Sequence, residues 1–136
     1  MKPRSWPTAL SALEGNEMAK SMLIVSRQAP WSGPGPREAL DIALAGGAFD
    51  LPLAMLFLDD GALQLLPSQQ PAHLQQKNLG ANLQALPMFG VDELFVCSTS
   101  LKERGLENAE LALDVDRLDA EGITALIDRF DLVVTL

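Results

Sequence analysis

Short apolar blocks alternate with amphipathic stretches along this chain. Met22, Leu23, Ile24 and Val25 form a continuous apolar run closed by polar residues, which predicts a strand covered on both faces. A loop over residues 27–36 follows, punctuated by Gly33-Pro34-Gly35-Pro36. Ala39, Leu40, Ala43 and Leu44 then share one stripe, so residues 37–45 read as a helix. Pro36 suits its first position and Gly46-Gly47 its exit. Residues 53–58 predict a second buried strand, stopped by Asp59-Asp60-Gly61.

The pattern is weakest over residues 62–90, where Pro67 and Pro71 interrupt the leucines. One helix is expected over residues 78–86, weakened by Gly80 and limited by Pro87. Beyond it, residues 93–97 predict a strand, 98–104 a short helix closed by Gly105, and 111–115 another strand. Asp119 can cap a helix whose apolar side is Ile123, Leu126, Ile127 and Phe130, and residues 131–136 form a last strand. Five strands alternating with helices predict the α/β class, as a three-layer sandwich around a mainly parallel five-stranded sheet, flavodoxin-like in outline. Residues 1–20 carry Pro3, Trp6 and Pro7 but no strand-like run, so they read as an N-terminal extension to a single domain over residues 21–136.

Composition narrows the classes. At 136 residues and 48% hydrophobic, the chain suits one domain with a real core. Its apolar stretches fall far short of the roughly 20 residues that a bilayer span needs, so no membrane association is expected. A single cysteine, Cys97, excludes an intrachain disulfide framework, and a single histidine, His73, argues against a zinc enzyme. The first 20 residues lack the apolar core of a secretory signal, which makes a reduced, cytoplasmic protein the expectation. No bound cofactor or metal is expected. Residues 91–136 hold eleven acidic side chains against four basic ones, while the other 90 are near balance at seven against six. Without a Lys/Arg cluster, direct nucleic-acid binding is not expected, and the acidic surplus reads as solvated surface.

In an open parallel sheet, reactive groups gather at the carboxyl ends of the strands, and three places qualify. Cys97 ends a strand directly before a helix, where unpaired amides and the helix dipole favour a thiolate able to carry sulfane sulfur. Ser98, Thr99 and Ser100 can cap that helix or donate to the sulfur. The competing reading is a small buried hydrophobe. The second place is the 32–36 loop after the first strand, a position that holds phosphate in many α/β proteins. Two of its five residues lack an N–H, and it matches neither the P-loop nor GxGxxG, so a rigid loop fits better. The third is Asp59-Asp60-Gly61, which can bind Mg²⁺ or serve acid–base chemistry but more often forms a turn with a solvated charge pair. His73 lies among glutamines and reads as a surface residue.

The run Leu58-Asp59-Asp60-Gly61-Ala62-Leu63-Gln64-Leu65-Leu66-Pro67-Ser68-Gln69-Gln70-Pro71 resembles the region after the second strand in the TusC/DsrF-like branch of the DsrE family. Leu86-Pro87-Met88-Phe89-Gly90-Val91-Asp92-Glu93-Leu94-Phe95-Val96-Cys97 is similar to the approach to its next strand, and Ser100-Leu101-Lys102-Glu103-Arg104-Gly105-Leu106 to the helix and glycine exit beyond. The likeness spans residues 21–136, whereas residues 1–20 depart from the family pattern. It implies a subunit that assembles with TusB-like and TusD-like chains into a heterohexamer, a dimer of heterotrimers. Such a complex relays persulfide sulfur, through a TusE-like acceptor, towards 2-thiolation of the tRNA wobble uridine. In the related DsrE–DsrF–DsrH complex the sulfur serves dissimilatory metabolism. The resemblance further implies that the principal sulfur carrier is a cysteine of the TusD-like partner, leaving Cys97 as a candidate carrier in an otherwise non-catalytic subunit. A stand-alone persulfide carrier using Cys97, and a small-molecule module using the 33–36 loop, are the alternatives. Trp31 in its proline-rich loop and the leucines at 63, 65 and 66 are candidate interface anchors, through which the chain alone can also self-associate.

Overall fold

Five strands give the computed structural model its frame, and the residues it describes are 20–67 and 74–136. The strands are β1 (Met22–Ser26), β2 (Leu53–Phe57), β3 (Leu94–Cys97), β4 (Asp116–Leu118) and β5 (Leu132–Thr135). All pair in parallel, in the order β4-β3-β2-β1-β5. Met22 stands opposite both Leu53 and Leu132, which places β1 between β2 and the edge strand β5. The order reverses beside β1, so the crevices at the carboxyl ends open next to it.

Side chains of period two send β1 to β3 into two cores. Ile24, Met55, Phe57, Leu94 and Val96 face α1 (Gly35–Ala48) and α2 (Leu74–Gln84), meeting Ala39, Leu40, Ala43, Leu79 and Leu83. Leu101, from the short α3 (Ser98–Glu103), completes that core. Leu23, Val25, Ala54, Leu56 and Phe95 face the other way, against Leu126 of α4 (Ala120–Asp128) and Phe130 just beyond it. The three-layer α/β sandwich read from the sequence is therefore borne out, with one layer much thinner than the other.

Three boundaries differ from expectation. α1 continues through Gly46 and Gly47 instead of ending at them. A Cβ on Gly47 would lie 2.3 Å from the Phe89 carbonyl oxygen, so this glycine permits close packing rather than an exit. The exit comes at Asp50, whose φ of 57° lets Leu51 N–H reach Gly46 O and Asp50 N–H reach Gly47 O, a Schellman closure. α2 begins four residues before the expected start and gives way to a 3₁₀ turn at Leu86–Phe89, which Gly90 ends at φ 92°. The strand expected at 111–115 is displaced to Asp116–Leu118. Leu111, Leu113 and Val115 instead roof the edge of the larger core, and Ala112 N–H donates to Leu65 O at 2.7 Å. The alternating leucines thus satisfy a core edge rather than a sheet ladder, and polar Asp116 and Arg117 pair with β3.

Candidate functional site

The carboxyl ends of β1, β2 and β3 are joined by one polar network. Arg27, immediately after β1, donates from Nε and Nη2 to Asp59 Oδ2 at 2.9 and 2.6 Å. Asp59 follows β2 in the left-handed region (φ 54°), which turns its N–H onto Ser100 Oγ at 2.8 Å. Asp60 takes a different arginine: Arg104 Nε donates to its Oδ1 at 2.9 Å, while Arg104 Nη1 reaches the Ser100 carbonyl at 3.1 Å. The adjacent carboxylates thus diverge to separate cations. No group of three or more His, Cys, Asp or Glu side chains able to hold a metal occurs among the described residues. The turn-and-charge-pair reading of Asp59-Asp60 fits this geometry better than a Mg²⁺ site.

Gly61 explains the tightness of the turn. A Cβ there would lie 1.9 Å from the Ser26 carbonyl oxygen, so only glycine lets the Asp59–Leu65 3₁₀ segment pass over the end of β1. Three residues on, buried Gln64 donates from Nε2 to Ser26 Oγ at 2.8 Å and to Gln28 O at 2.9 Å. Its Oε1 has no hydrogen-bond partner. Leu65, in the same segment, is fully enclosed in the larger core, so it covers the sheet rather than anchoring a partner.

Cys97 ends β3 and is the N-cap of α3, only 7% exposed. Its Sγ accepts the Ser100 N–H at 3.3 Å. The nearby hydroxyls are engaged elsewhere, since Ser98 Oγ donates to Leu118 O at 3.0 Å and Ser100 Oγ accepts from Asp59. The thiol thus does two things: it satisfies an otherwise orphaned helix amide and fills space. Buried and already engaged with the Ser100 N–H, this thiol presents little of its surface to solvent.

The proline-rich loop after β1 borders a cavity of about 680 Å³ between Pro30, Trp31, Gly33, Pro34 and Arg37 on one side and Leu79, Ala81 and Asn82 of α2 on the other. Trp31 is 64% exposed. Arg37 pairs with Asp41 one turn along at 3.2 Å, and the Asn82 amide oxygen can accept from Arg37 Nη1 at 2.7 Å. Pro34 occupies the N-cap of α1 without a side-chain cap, and Pro36 lies in the first turn, so this entry offers few amides to a phosphate. His73 and residues 1–19 lie outside the described residues.

Comparison with known proteins fixes the family. The DsrE/DsrF-like family model matches residues 20–136. The chain belongs to the DsrE/DsrF-like family. It is also 67% identical over 119 residues to a Pseudomonas aeruginosa protein named a TusC homolog, covering 88% of this chain and all of that protein. The TusC/DsrF-like resemblance is thereby borne out. Among solved structures, the YchN protein of E. coli superposes with a TM-score of 0.73 at 22% identity, over 86% of this chain and 99% of that one, and so shares the fold. Within this DsrE/DsrF-like fold, sequence reasoning located Cys97 and the Asp-Asp-Gly turn but missed Arg27, Arg104 and Gln64. A cation straight after a strand, beside an acidic turn after its neighbour, is the pattern that signals the first of these.

Proposed function

We propose that this chain is the TusC-like subunit of a sulfur-relay complex, built with TusB-like and TusD-like chains as a dimer of heterotrimers. The complex passes persulfide sulfur, through a TusE-like acceptor, towards 2-thiouridine at the tRNA wobble position, in the cytoplasm. The observation that carries this reading is the 67% identity extending over the whole length of a protein named a TusC homolog. The domain that does this work is residues 21–136. No helix among the described residues is long and apolar enough to cross a membrane.

Within the complex, Cys97 is a packing and capping residue, and the sulfur travels on a cysteine of the TusD-like partner. Two features support that assignment: the burial of Cys97 and the use of its Sγ as acceptor for Ser100 N–H. The arginine–carboxylate network then serves to hold the ends of β1, β2 and β3 in one rigid surface. Reconstitution with ³⁵S-labelled persulfide donor, the three subunits, acceptor and tRNA tests the reading. Omitting this chain is expected to abolish labelled tRNA. Label reaching the acceptor but not tRNA would favour a DsrF-like role in another sulfur pathway, and full transfer without this chain would refute the assignment.

A further inference from the structure

The proline-rich loop after β1 is pinned on its inner side and open on its outer one. Pro30, Pro34 and Pro36 restrict its backbone, and Ser32 ties back to Ala29 O through both its N–H and its Oγ at 3.0 Å. Ala29 is itself buried. At the root of the loop, Gln28 O accepts from Nε2 of the buried Gln64 at 2.9 Å. The Gln28 side chain fills the space above Gly35, where a Cβ would lie 2.6 Å from its Oε1. Yet the one aromatic side chain of this anchored loop, Trp31, is 64% exposed. It forms a wall of the cavity of about 680 Å³ that the loop shares with α2.

That volume falls within the roughly 300–1,000 Å³ of small-molecule sites. Its place, just beyond the carboxyl end of a parallel strand, is where open α/β sheets bind ligands. The walls divide by chemistry: Trp31, Pro34, Leu79 and Ala81 supply apolar surface, Arg37 and Asn82 polar groups. Arg37 is the one charged side chain among the described lining residues. Its fork is held in place, because Asp41 takes Nε at 3.2 Å and the Asn82 amide oxygen can bridge Nη1 and Nη2 at 2.7 and 3.2 Å. Each Nη carries a second N–H, available to a further acceptor. A single planar cation of this kind matches a carboxylate. A phosphate dianion would want the backbone amides that Pro34 and Pro36 do not provide. An indole flanked by apolar side chains matches a flat ring, which it can stack against. A side chain that anchors another protein fills a socket in that partner, whereas this indole borders a hollow of its own chain.

We propose that this cavity binds a small planar aromatic carboxylate, with the ring stacked on Trp31 and the carboxylate on the Arg37 fork. Neither Cys97 nor sulfur transfer enters the site, so its failure would leave the relay reading untouched. The probe is 2-naphthoate, titrated into the ¹⁵N-labelled full chain while the Leu79 and Asn82 amides and the Arg37 Nε–H are followed by NMR. Saturable shifts at these groups are expected, with a Kd on the order of 1 mM or tighter. Two controls each remove one half of the recognition: 2-naphthalenemethanol lacks the charge and cyclohexanecarboxylate lacks the aromatic ring. Both are expected to bind at least about tenfold more weakly, as is 2-naphthoate to Trp31→Ala and to Arg37→Gln. Both side chains are exposed, so thermal melts of these variants should stay close to that of the unaltered chain. Trp31→Phe, which restores a ring, is expected to recover most of the affinity. No saturable shift at these groups, or equal affinity for the alcohol, overturns the site. Binding of inorganic phosphate in place of 2-naphthoate overturns the aromatic assignment and gives the fork to an inorganic anion. Indifference to 2-naphthoate, with the Trp31 indole N–H protected from exchange only in a complex with another protein chain, overturns it in favour of a protein contact.

Discussion

Replacing Cys97 separates a sulfur carrier from a structural thiol. Cys97→Ala removes the Sγ that accepts the Ser100 N–H at 3.3 Å and empties a site that is 7% exposed. Loss of an N-cap acceptor costs about 1 kcal/mol, within a range of about 0.5–2. Loss of the buried sulfur adds a similar sum, since large-to-small changes forfeit both transfer energy and packing. The expected total is about 2 kcal/mol, which for a domain of this size lowers Tm by roughly 6–10 °C. Cys97→Ser keeps an acceptor of a type that caps helices well, so it should stay within about 1 kcal/mol of the unaltered chain. Circular-dichroism melts and urea titrations of the two variants measure the difference directly. Both variants, assembled with their partners, should transfer labelled sulfur at close to the normal rate. The reasoning is refuted if Cys97→Ser melts normally yet loses transfer, and a persulfide is trapped on Cys97 by mass spectrometry.

Other substitutions test the geometry around that site. Gly61→Ala forces a Cβ to within 1.9 Å of the Ser26 carbonyl, so a loss of at least about 3 kcal/mol is expected in urea titration. Asp50→Gly relieves a left-handed residue (φ 57°) at the exit of α1 and should raise stability by about 0.5 kcal/mol, read as a higher urea midpoint. Arg27→Ala breaks an ion pair whose two side chains are about half exposed, so the loss should be under about 1 kcal/mol and shrink in 0.5 M salt.

The parts of this fold that were legible in the sequence are those where one physical demand governs a segment. Residues 22–25 and 53–57 must be apolar throughout because both sheet faces are covered there, and the runs announce it. Asp119 accepts the Gly122 N–H at 2.8 Å as the expected cap of α4. Where two demands competed, the pattern misled. Leu111, Leu113 and Val115 alternate like a strand but serve as the edge of a core, and the pairing with β3 passed to Asp116 and Arg117, which have no apolar signal. Gly46 and Gly47 resemble a helix stop because glycine so often marks one, yet they remain helical to admit Leu53 and Phe89. Cys97 was locatable because a strand end followed by Ser-Thr-Ser is a local feature. Its partnership with distant Asp59 through Ser100, and that of Arg104 with Asp60, depend on how β2 and β3 lie together and have no local signature.

The central claim is membership of a mixed relay complex, and native mass spectrometry of the three chains expressed together tests it most directly. The account predicts one dominant species containing two copies each of this chain, the TusB-like chain and the TusD-like chain. Partners that assemble without this chain, leaving it as a separate monomer or homo-oligomer, would contradict it.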